Sequence, residues 1–480
     1  MLSPLFSKQR YAAALGVFSI FPTVVAYAAD WEVVRSISAA ETYTDNVRLA
    51  SDNEDKQSDL VTQIEPGIVV KGTGRHGVAS LNYSAQGRIY KEQESSNRID
   101  HRLLSSAKVV LLPKHVFLDA TGTISQELIS PNGQLALQNI ASTENKSTVT
   151  TASISPYLLM PLGNNTRAEL RYKHGEVIYE KETLADAQSD EGTMAINGDL
   201  FSEQMLWSLL YQNSRIGYAN SDIDQISQIA SAGLRYSITS TVSGYGEVGY
   251  EERGGINWPG QDSPSGKTWK LGMAWNPSET TTLEADYGRR FFGVTKGLKL
   301  TYTAPHSSWH ATYLEELSTQ QQLQFERANA ALRSDSANLS APQESIQFVA
   351  STVANVFVRK SATLGYNVKT AKTETGLGAF HEKRDFEDES KEETVRGITA
   401  SWGWVFLPRT KLMLSGGWQQ AMDKAETFHN MVHYHEIALT REIRPKLQGA
   451  LISRRNQQNN AMDDGSYVET LLTAKLTYLF

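Results

Sequence analysis

The side chains of this sequence that could bind a metal or an anion lie in two short runs of alternating residues. His433 and His435 are separated by one residue, and imidazole nitrogens are common metal ligands. Arg167, Arg171 and Lys173 are spaced by four and two residues, and they could form a basic strip that attracts an anionic solute. The elements that carry these runs decide which chemistry is possible.

Those elements are predicted to be strands. After Asp30, segments of about ten to fifteen residues repeat in which every second residue is apolar or aromatic, a pattern typical of transmembrane strands. For example, Leu283, Ala285 and Tyr287 alternate with polar residues. Period two places alternate residues on opposite faces of a strand. Short turns with proline or glycine separate the segments from longer polar stretches, as in outer-membrane barrels.

The number of hairpins between Val33 and Phe480 predicts an all-β fold. We expect a transmembrane antiparallel up-and-down β-barrel of about 22 strands, within a range of about 18 to 24, with short periplasmic turns and long extracellular loops. A secreted β-solenoid or sandwich would also alternate. The 20 Tyr and 9 Trp favour the barrel, because membrane barrels carry aromatic girdles.

Composition excludes several other classes. The chain has no Cys, so disulfides, thiolate metal sites and cysteine nucleophiles are absent from its chemistry. A hydrophobic content of 40% and a mean hydropathy of −0.38 are too polar for a protein with many membrane helices. The net charge of −7 argues against a nucleic-acid partner.

The amino-terminal residues 1–29 are predicted to be a secretory signal peptide. They combine two basic residues and no acid with an apolar stretch, and they end on the small residues Ala28 and Ala29, after either of which cleavage is expected. The alternative is an uncleaved anchor helix, which Pro22 would interrupt. Residues 30–480 then form the barrel domain, and the mature protein is expected in the bacterial outer membrane.

If the apolar face of each strand contacts lipid, the other face lines the lumen. The charged residues predicted to lie there are Arg88, Arg167, Glu169, Arg171, Lys173, Arg235, Lys270, Glu284, Asp286 and Arg290. The basic strip has two interpretations, an anion path or a salt-bridged wall opposite acids such as Asp199. His433 and His435 share a face with Ile437 and are expected to point outward, so we predict no metal site.

No catalytic residue and no cofactor are predicted, because the sequence has no nucleophile motif flanked by glycines. An enzyme with a catalytic group at the barrel rim stays a lesser alternative. A tight turn is expected at Asp45 and Asn46, and a calcium site with nearby acids such as Asp52 is the alternative.

The longest irregular segment is predicted to be an extracellular loop at 317–345 that contains a helix. Its residues from Leu317 to Leu332 are good helix formers without proline or glycine. The segment could fold into the barrel mouth as a gate or docking element, or it could be a solvated loop. At the other end of the chain, Tyr478 and Phe480 resemble the β-signal that the barrel-assembly machinery recognises, although Lys475 stands where that signal commonly has glycine.

Two segments near the amino terminus carry a family resemblance. Thr42-Tyr43-Thr44-Asp45-Asn46 and Val61-Thr62-Gln63-Ile64-Glu65-Pro66-Gly67 resemble the opening of the PEP-CTERM-system-associated outer-membrane proteins, a family of porin-like barrels. The resemblance implies export linked to exopolysaccharide or exosortase systems, with no defined catalytic residues.

Taken with the strand pattern, we expect a porin-like channel for a polar polymer or solute, or alternatively a non-conducting scaffold or surface-binding barrel. The expected partners are outer-membrane lipids, the barrel-assembly machinery, and polysaccharide or periplasmic export components.

Overall fold

The computed structural model describes residues 29–480, apart from 131–132, 142, 201, 222–223, 256–263, 334–355, 387–391, 424–428 and 462–464. The predicted signal peptide therefore lies outside the described residues except for Ala29, where the first strand begins. One helix, α1, spans Gln320–Arg333, and a short 3-10 helix spans Glu94–Ser96.

The described part of the chain forms 22 strands. They are β1 Ala29–Thr44, β2 Asp59–Gly74, β3 Gly77–Tyr90, β4 Arg98–Leu112, β5 Val116–Leu128, β6 Lys146–Pro161, β7 Thr166–Tyr179, β8 Ala187–Leu200, β9 Ser202–Tyr218, β10 Gln225–Ser237, β11 Val242–Gly254, β12 Ser265–Ser278, β13 Thr281–Arg290, β14 Gly293–Thr303, β15 Ser307–Thr319, β16 Val356–Lys369, β17 Thr373–Phe386, β18 Glu392–Leu407, β19 Thr410–Asp423, β20 His429–Arg444, β21 Leu447–Asn460 and β22 Tyr467–Leu479.

Each strand pairs antiparallel with its neighbours in sequence, and β1 pairs with β22, which closes the sheet into a barrel. From Ser36 to Thr44 this pairing leaves neither strand as a free edge. At the seam between β1 and β22, Thr42 and Thr473 share a hydroxyl hydrogen bond of 2.9 Å, and so do Ser38 and Thr477. The predicted fold class is confirmed.

The connections differ between the two ends of the barrel. At the turn end, where β1 begins and β22 stops, strands are joined by tight turns, three of which place proline before a basic residue with positive φ. These basic residues are Lys114, Arg409 and Lys446, with φ of 69°, 63° and 72°. Proline fixes the first turn position, and positive φ at the second closes the turn. The longer connections lie at the opposite end, the loop end.

The outer face of the wall is apolar. Exposed aliphatic residues cover it along the strands, and aromatic residues concentrate near the turn end, among them Trp31, Tyr236, Trp275, Trp309, Trp404 and Tyr478. Such a wide exposed apolar surface is unfavourable in water and matches a lipid-facing band with an aromatic girdle. No helix among the described residues is long and apolar enough to cross a membrane.

Candidate functional site

The basic strip predicted on β7 lies on the inner face of the barrel, and its members have different partners. Arg171 bonds Glu169 at 2.7 Å and Asp119 at 3.1 Å, so it belongs to a salt-bridged wall. The Lys173 amine lies 4.7 Å from the ring centre of Phe325, a cation-π contact. Arg167 is exposed and forms no ion pair with another described residue. The strip therefore does not present three free cations.

The other charged residues predicted to line the lumen also lie on the inner faces of their strands. On the wall from β10 to β13, Arg235 faces Glu284 at 3.8 Å and Lys270 bonds Glu247 at 3.0 Å. Asp286 shares the face of Glu284, and Arg290 bonds Glu251 through Nε at 3.2 Å. Arg88 lies on the opposite wall in an ion pair with Asp100. Most of these charges therefore form local pairs along the wall.

Helix α1 is packed inside the barrel. It begins three residues later than the predicted start at Leu317, because β15 continues to Thr319. Phe325 packs against Val149 and Val177, which are inward residues of β6 and β7. On the opposite side, Leu323 joins the inward aromatic residues Phe357 and Phe386. Of the two interpretations of this segment, the structure favours the one in which it folds into the barrel mouth.

Ion pairs fix α1 to the wall at two places. Glu326 accepts a hydrogen bond of 2.8 Å from Arg359, which also bonds Glu382 at 3.0 Å and Glu316 at 3.2 Å. On the other side, Arg327 bonds Glu127 of β5 at 3.1 Å. The helix thus spans between two parts of the wall and is held by charge at both.

The connection between β5 and β6, residues 129–145, is called here the inner loop. Its described residues from 133 to 141 also fold into the barrel. The Tyr467 hydroxyl donates to the Leu135 carbonyl at 2.6 Å, and the Leu135 amide donates to the side chain of Gln458 at 2.8 Å. Gln458 also donates to the Gly133 carbonyl at 3.0 Å. Side chains of the last two strands therefore form hydrogen bonds with backbone groups of the inner loop.

The far half of the inner loop is held by β3 and β4. The Tyr90 hydroxyl donates to the Ile140 carbonyl at 2.6 Å, and Arg98 donates to the Asn139 carbonyl at 3.2 Å. Ile140 is 4% exposed and packs among the inward apolar residues Val47, Val61, Tyr90 and Leu471. No prediction from the sequence covers this inward segment.

At its exit from the lumen, the inner loop is tied to the next hairpin. Lys181 donates to the Glu144 carboxylate at 2.7 Å, and this contact lowers the pKa of the Glu144 carboxyl.

A cavity of about 1140 Å³ lies beneath the two inward segments. Its lining includes residues of the inner loop from Leu135 to Ile140 and of α1 at Arg327. From there it extends along β1–β5 and β15–β22 to turn-end residues such as Arg409 and Lys475. A barrel of this width is too large for its own wall side chains to fill. The inward segments therefore close the loop end of a cavity that reaches the turn end.

His433 and His435 lie on the outer face of β20, whereas Tyr434 and Glu436 lie on its lumen face. His435 is exposed and shares its face with Ile437, which is 55% exposed. Within the described part of the chain, no three potential metal ligands are grouped.

The Asp45 and Asn46 side chains are engaged with protein groups. The Asp45 carboxylate accepts the amide of Thr470 at 2.7 Å, and the Asn46 carboxamide accepts the amide of Ala50 at 2.8 Å. The left-handed residue of this connection is Leu49, with φ of 53°, and neither Asp45 nor Asn46 has a positive φ. The two side chains thus fasten the connection to β22.

The carboxyl-terminal aromatic pair lies on the outer face beside the seam. The rings of Tyr478 and Phe480 are stacked with centres 6.0 Å apart. The Phe480 amide donates to the Arg35 carbonyl at 2.9 Å, and the Arg35 amide donates back at 3.2 Å. These contacts complete the pairing of the last strand with the first.

The chain is similar to known proteins in its structure. No protein-family model and no curated protein matches the sequence. The FrpB iron transporter from Neisseria meningitidis, F5-1 variant, matches with a TM-score of 0.52 and 10% identity over 95% of this chain and 83% of that one. The chain has the fold of outer-membrane barrels. The F3-3 variant of FrpB matches with a TM-score of 0.51 and 10% identity, over 94% of this chain and 82% of that one.

Proposed function

We propose that this protein is an outer-membrane porin-like channel whose passage runs through the barrel and is restricted by the inner loop and α1. The carrying observation is the cavity, in whose lining polar residues outnumber apolar ones and which extends from the turn end to the two inward segments. An aqueous lumen with a polar lining is the common feature of wide membrane barrels. We place the turn end in the periplasm, because bacterial barrels have short periplasmic turns.

We also propose that the transported solute or polymer belongs to an export system linked to exopolysaccharide or exosortase functions. Support comes from the two family-like segments, Thr42–Asn46 and Val61–Gly67. They lie side by side, because Thr42 pairs with Val61 in the register of β1 and β2. Polysaccharide or periplasmic export components would then be the partners at the turn end.

Single-channel conductance of refolded residues 30–480 in planar bilayers tests the channel. The full chain is compared with variants in which residues 130–144, residues 320–345, or both are replaced by a short Gly-Ser linker. We expect small or infrequent current steps from the full chain and larger, steadier steps after removal of both segments. Replacement of the exposed residues 52–56 is the control and should leave the steps unchanged.

A non-conducting scaffold is the second candidate. It is favoured by the dense packing of the inner loop, whose carbonyls accept side-chain hydrogen bonds from Tyr90, Tyr467 and Gln458. A correctly folded double-deletion variant that carries no current would overturn the channel proposal and leave the scaffold.

A further inference from the structure

The cavity carries a charge opposite to that of the chain. Its lining has eight Lys and Arg side chains and four Glu side chains, whereas the chain has 46 basic and 53 acidic residues. Two of the eight cations have partners just behind the lining, since Arg88 pairs with Asp100 and Lys411 with Glu374. A positive excess remains after these pairs are counted, which favours the entry of anions.

Two of the eight lining cations, Arg88 on β3 and Arg102 on β4, lie close to a third arginine, Arg98, which is not in the lining. Arg88, Arg98 and Arg102, here called the arginine patch, lie at neighbouring register positions, where Arg88 pairs with Arg98 and Ser84 with Arg102. Asp100 is the carboxylate that pairs with this patch, contacting Arg88 and, at 3.2 Å, Arg98. Each guanidinium has five N–H donors, so three guanidinium groups have many more donors than one carboxylate accepts.

Arg102 is the free member of the patch. It lines the cavity, it is exposed, and its guanidinium forms no ion pair or hydrogen bond with any residue that the structure describes. Arg98, one of its neighbours, is occupied by the Asn139 carbonyl of the inner loop. The free guanidinium therefore lies in the cavity wall on β4, the strand whose first residue holds the inner loop.

A second observation indicates a missing polar partner in the same cavity. Gln419 of β19 lines the cavity and is 1% exposed. Neither its Oε1 nor its Nε2 has a hydrogen-bond partner among the described residues. A buried carboxamide without partners is unfavourable, so a polar ligand or water is expected to supply them. Other carboxamides line the cavity, including Gln63, Gln86, Gln138 and Asn139.

We propose that the arginine patch binds the carboxylates of an acidic sugar or short acidic oligosaccharide inside the cavity. A guanidinium forms paired, charge-assisted hydrogen bonds to a carboxylate. The carboxamides of the lining both donate and accept, as sugar hydroxyls require. The inference deepens the proposed function and rests on it, because a solute must enter the lumen to reach Arg102.

Binding to the full barrel, refolded in detergent, tests the proposal by isothermal titration at low salt. The probes are hexagalacturonate, neutral maltohexaose and inorganic phosphate. The variants are R102Q and R167Q, each of which removes one positive charge from the inner face. Arg102 belongs to the cavity lining and Arg167 does not. We expect hexagalacturonate to bind the native chain and R167Q, and to bind R102Q about tenfold more weakly. Affinity should fall as salt rises.

Equal affinities of R102Q and R167Q for hexagalacturonate would overturn the assignment to the patch. Equal binding of maltohexaose would overturn the preference for anions, and tighter binding of inorganic phosphate would overturn the acidic sugar. Heat-modifiable migration on gels verifies that both variants are folded. The titration does not depend on conduction. A barrel that binds the anion but carries no current would therefore contradict only the channel proposal. A barrel that conducts but whose binding does not depend on Arg102 would contradict only this site.

Discussion

The carboxamide of Asn46 donates a hydrogen bond of 3.1 Å to the main-chain carbonyl of Val468, across the seam where the first and last strands meet. The two residues are 422 positions apart in the sequence. Asn46 is fully buried and also bonds both backbone groups of Ala50 at 2.8 Å. Asn46 thus fixes the first connection and the closure of the barrel together.

Replacing Asn46 by alanine should weaken this closure. The change leaves several buried backbone groups without partners, and we expect a loss of about 2 to 3 kcal/mol in the free energy of unfolding. Urea unfolding of the refolded barrel, followed by tryptophan fluorescence, measures the loss. Asn165→Ala is the control, because Asn165 is exposed and its side chain bonds only the carboxylate of Asp199. Similar unfolding midpoints for both variants would contradict a role at the seam.

Removing one hydroxyl should loosen the inner loop. In Tyr467→Phe the Leu135 carbonyl loses its 2.6 Å donor while the ring stays in place, and we expect local opening to become easier by about 1 to 2 kcal/mol. Hydrogen exchange of the backbone amides from 133 to 141 should accelerate about tenfold. Tyr478→Phe is the control, since that ring lies on the outer face. Unchanged exchange in Tyr467→Phe would show that the loop is held elsewhere.

Truncating the main apolar anchor of α1 should release the helix from the wall. Phe325 is 9% exposed and packs against Val149 and Val177. Loss of a buried phenylalanine costs about 3 to 5 kcal/mol, more than an isolated helix of this length can offset. We expect Phe325→Ala to carry larger single-channel currents than the native barrel.

The control for that measurement is Asn329→Ala, an exposed position on the same helix. If both variants conduct as the native chain does, α1 does not restrict the passage.

The barrel could be predicted from sequence because alternation is a strong signal in strands that face lipid on one side and water on the other. The burial of the inner loop could not, because its backbone is held by side chains from distant strands. A weaker signal existed. Inward positions near the loop end are apolar at Val61, Tyr90, Val432 and Leu471, where a water-filled lumen would favour polar residues.

Helix α1 could be predicted from the sequence only in part. The run of helix-forming residues without proline indicates the helix. Its composition is polar, so the sequence does not indicate which face of the helix is buried. In the structure, Glu326 and Arg327 of the helix form ion pairs with Arg359 and Glu127, which lie on different parts of the wall. Ion pairs between the helix and distant strands form only when the barrel is closed, and no local sequence pattern predicts which strands will then face the helix.

Replacing Arg359 by glutamine should destabilise α1 by charge alone. Arg359 is the cation between Glu316, Glu326 and Glu382. Glu382 keeps a second partner, Arg384, at 2.7 Å, so the loss of Arg359 chiefly leaves the carboxylates of Glu316 and Glu326 facing each other. Removing one partner of a largely buried ion pair costs about 3 to 5 kcal/mol, and partial exposure of Glu326 should bring the cost toward the lower figure.

The ionic strength of the solution separates this effect from a loss of packing. Salt screens repulsion between the remaining carboxylates, so the urea midpoint of Arg359→Gln should recover partly as salt rises, whereas that of Phe325→Ala should not. The double variant with Glu326→Gln should also recover stability, because one of the facing charges is gone. Arg396→Gln is the matched control, since Arg396 lies on the outer face and bonds only the Gln420 carboxamide, at 2.8 Å and 3.1 Å. If salt and the second substitution leave the midpoint of Arg359→Gln unchanged, Arg359 acts through packing and the ion pairs do not hold the helix.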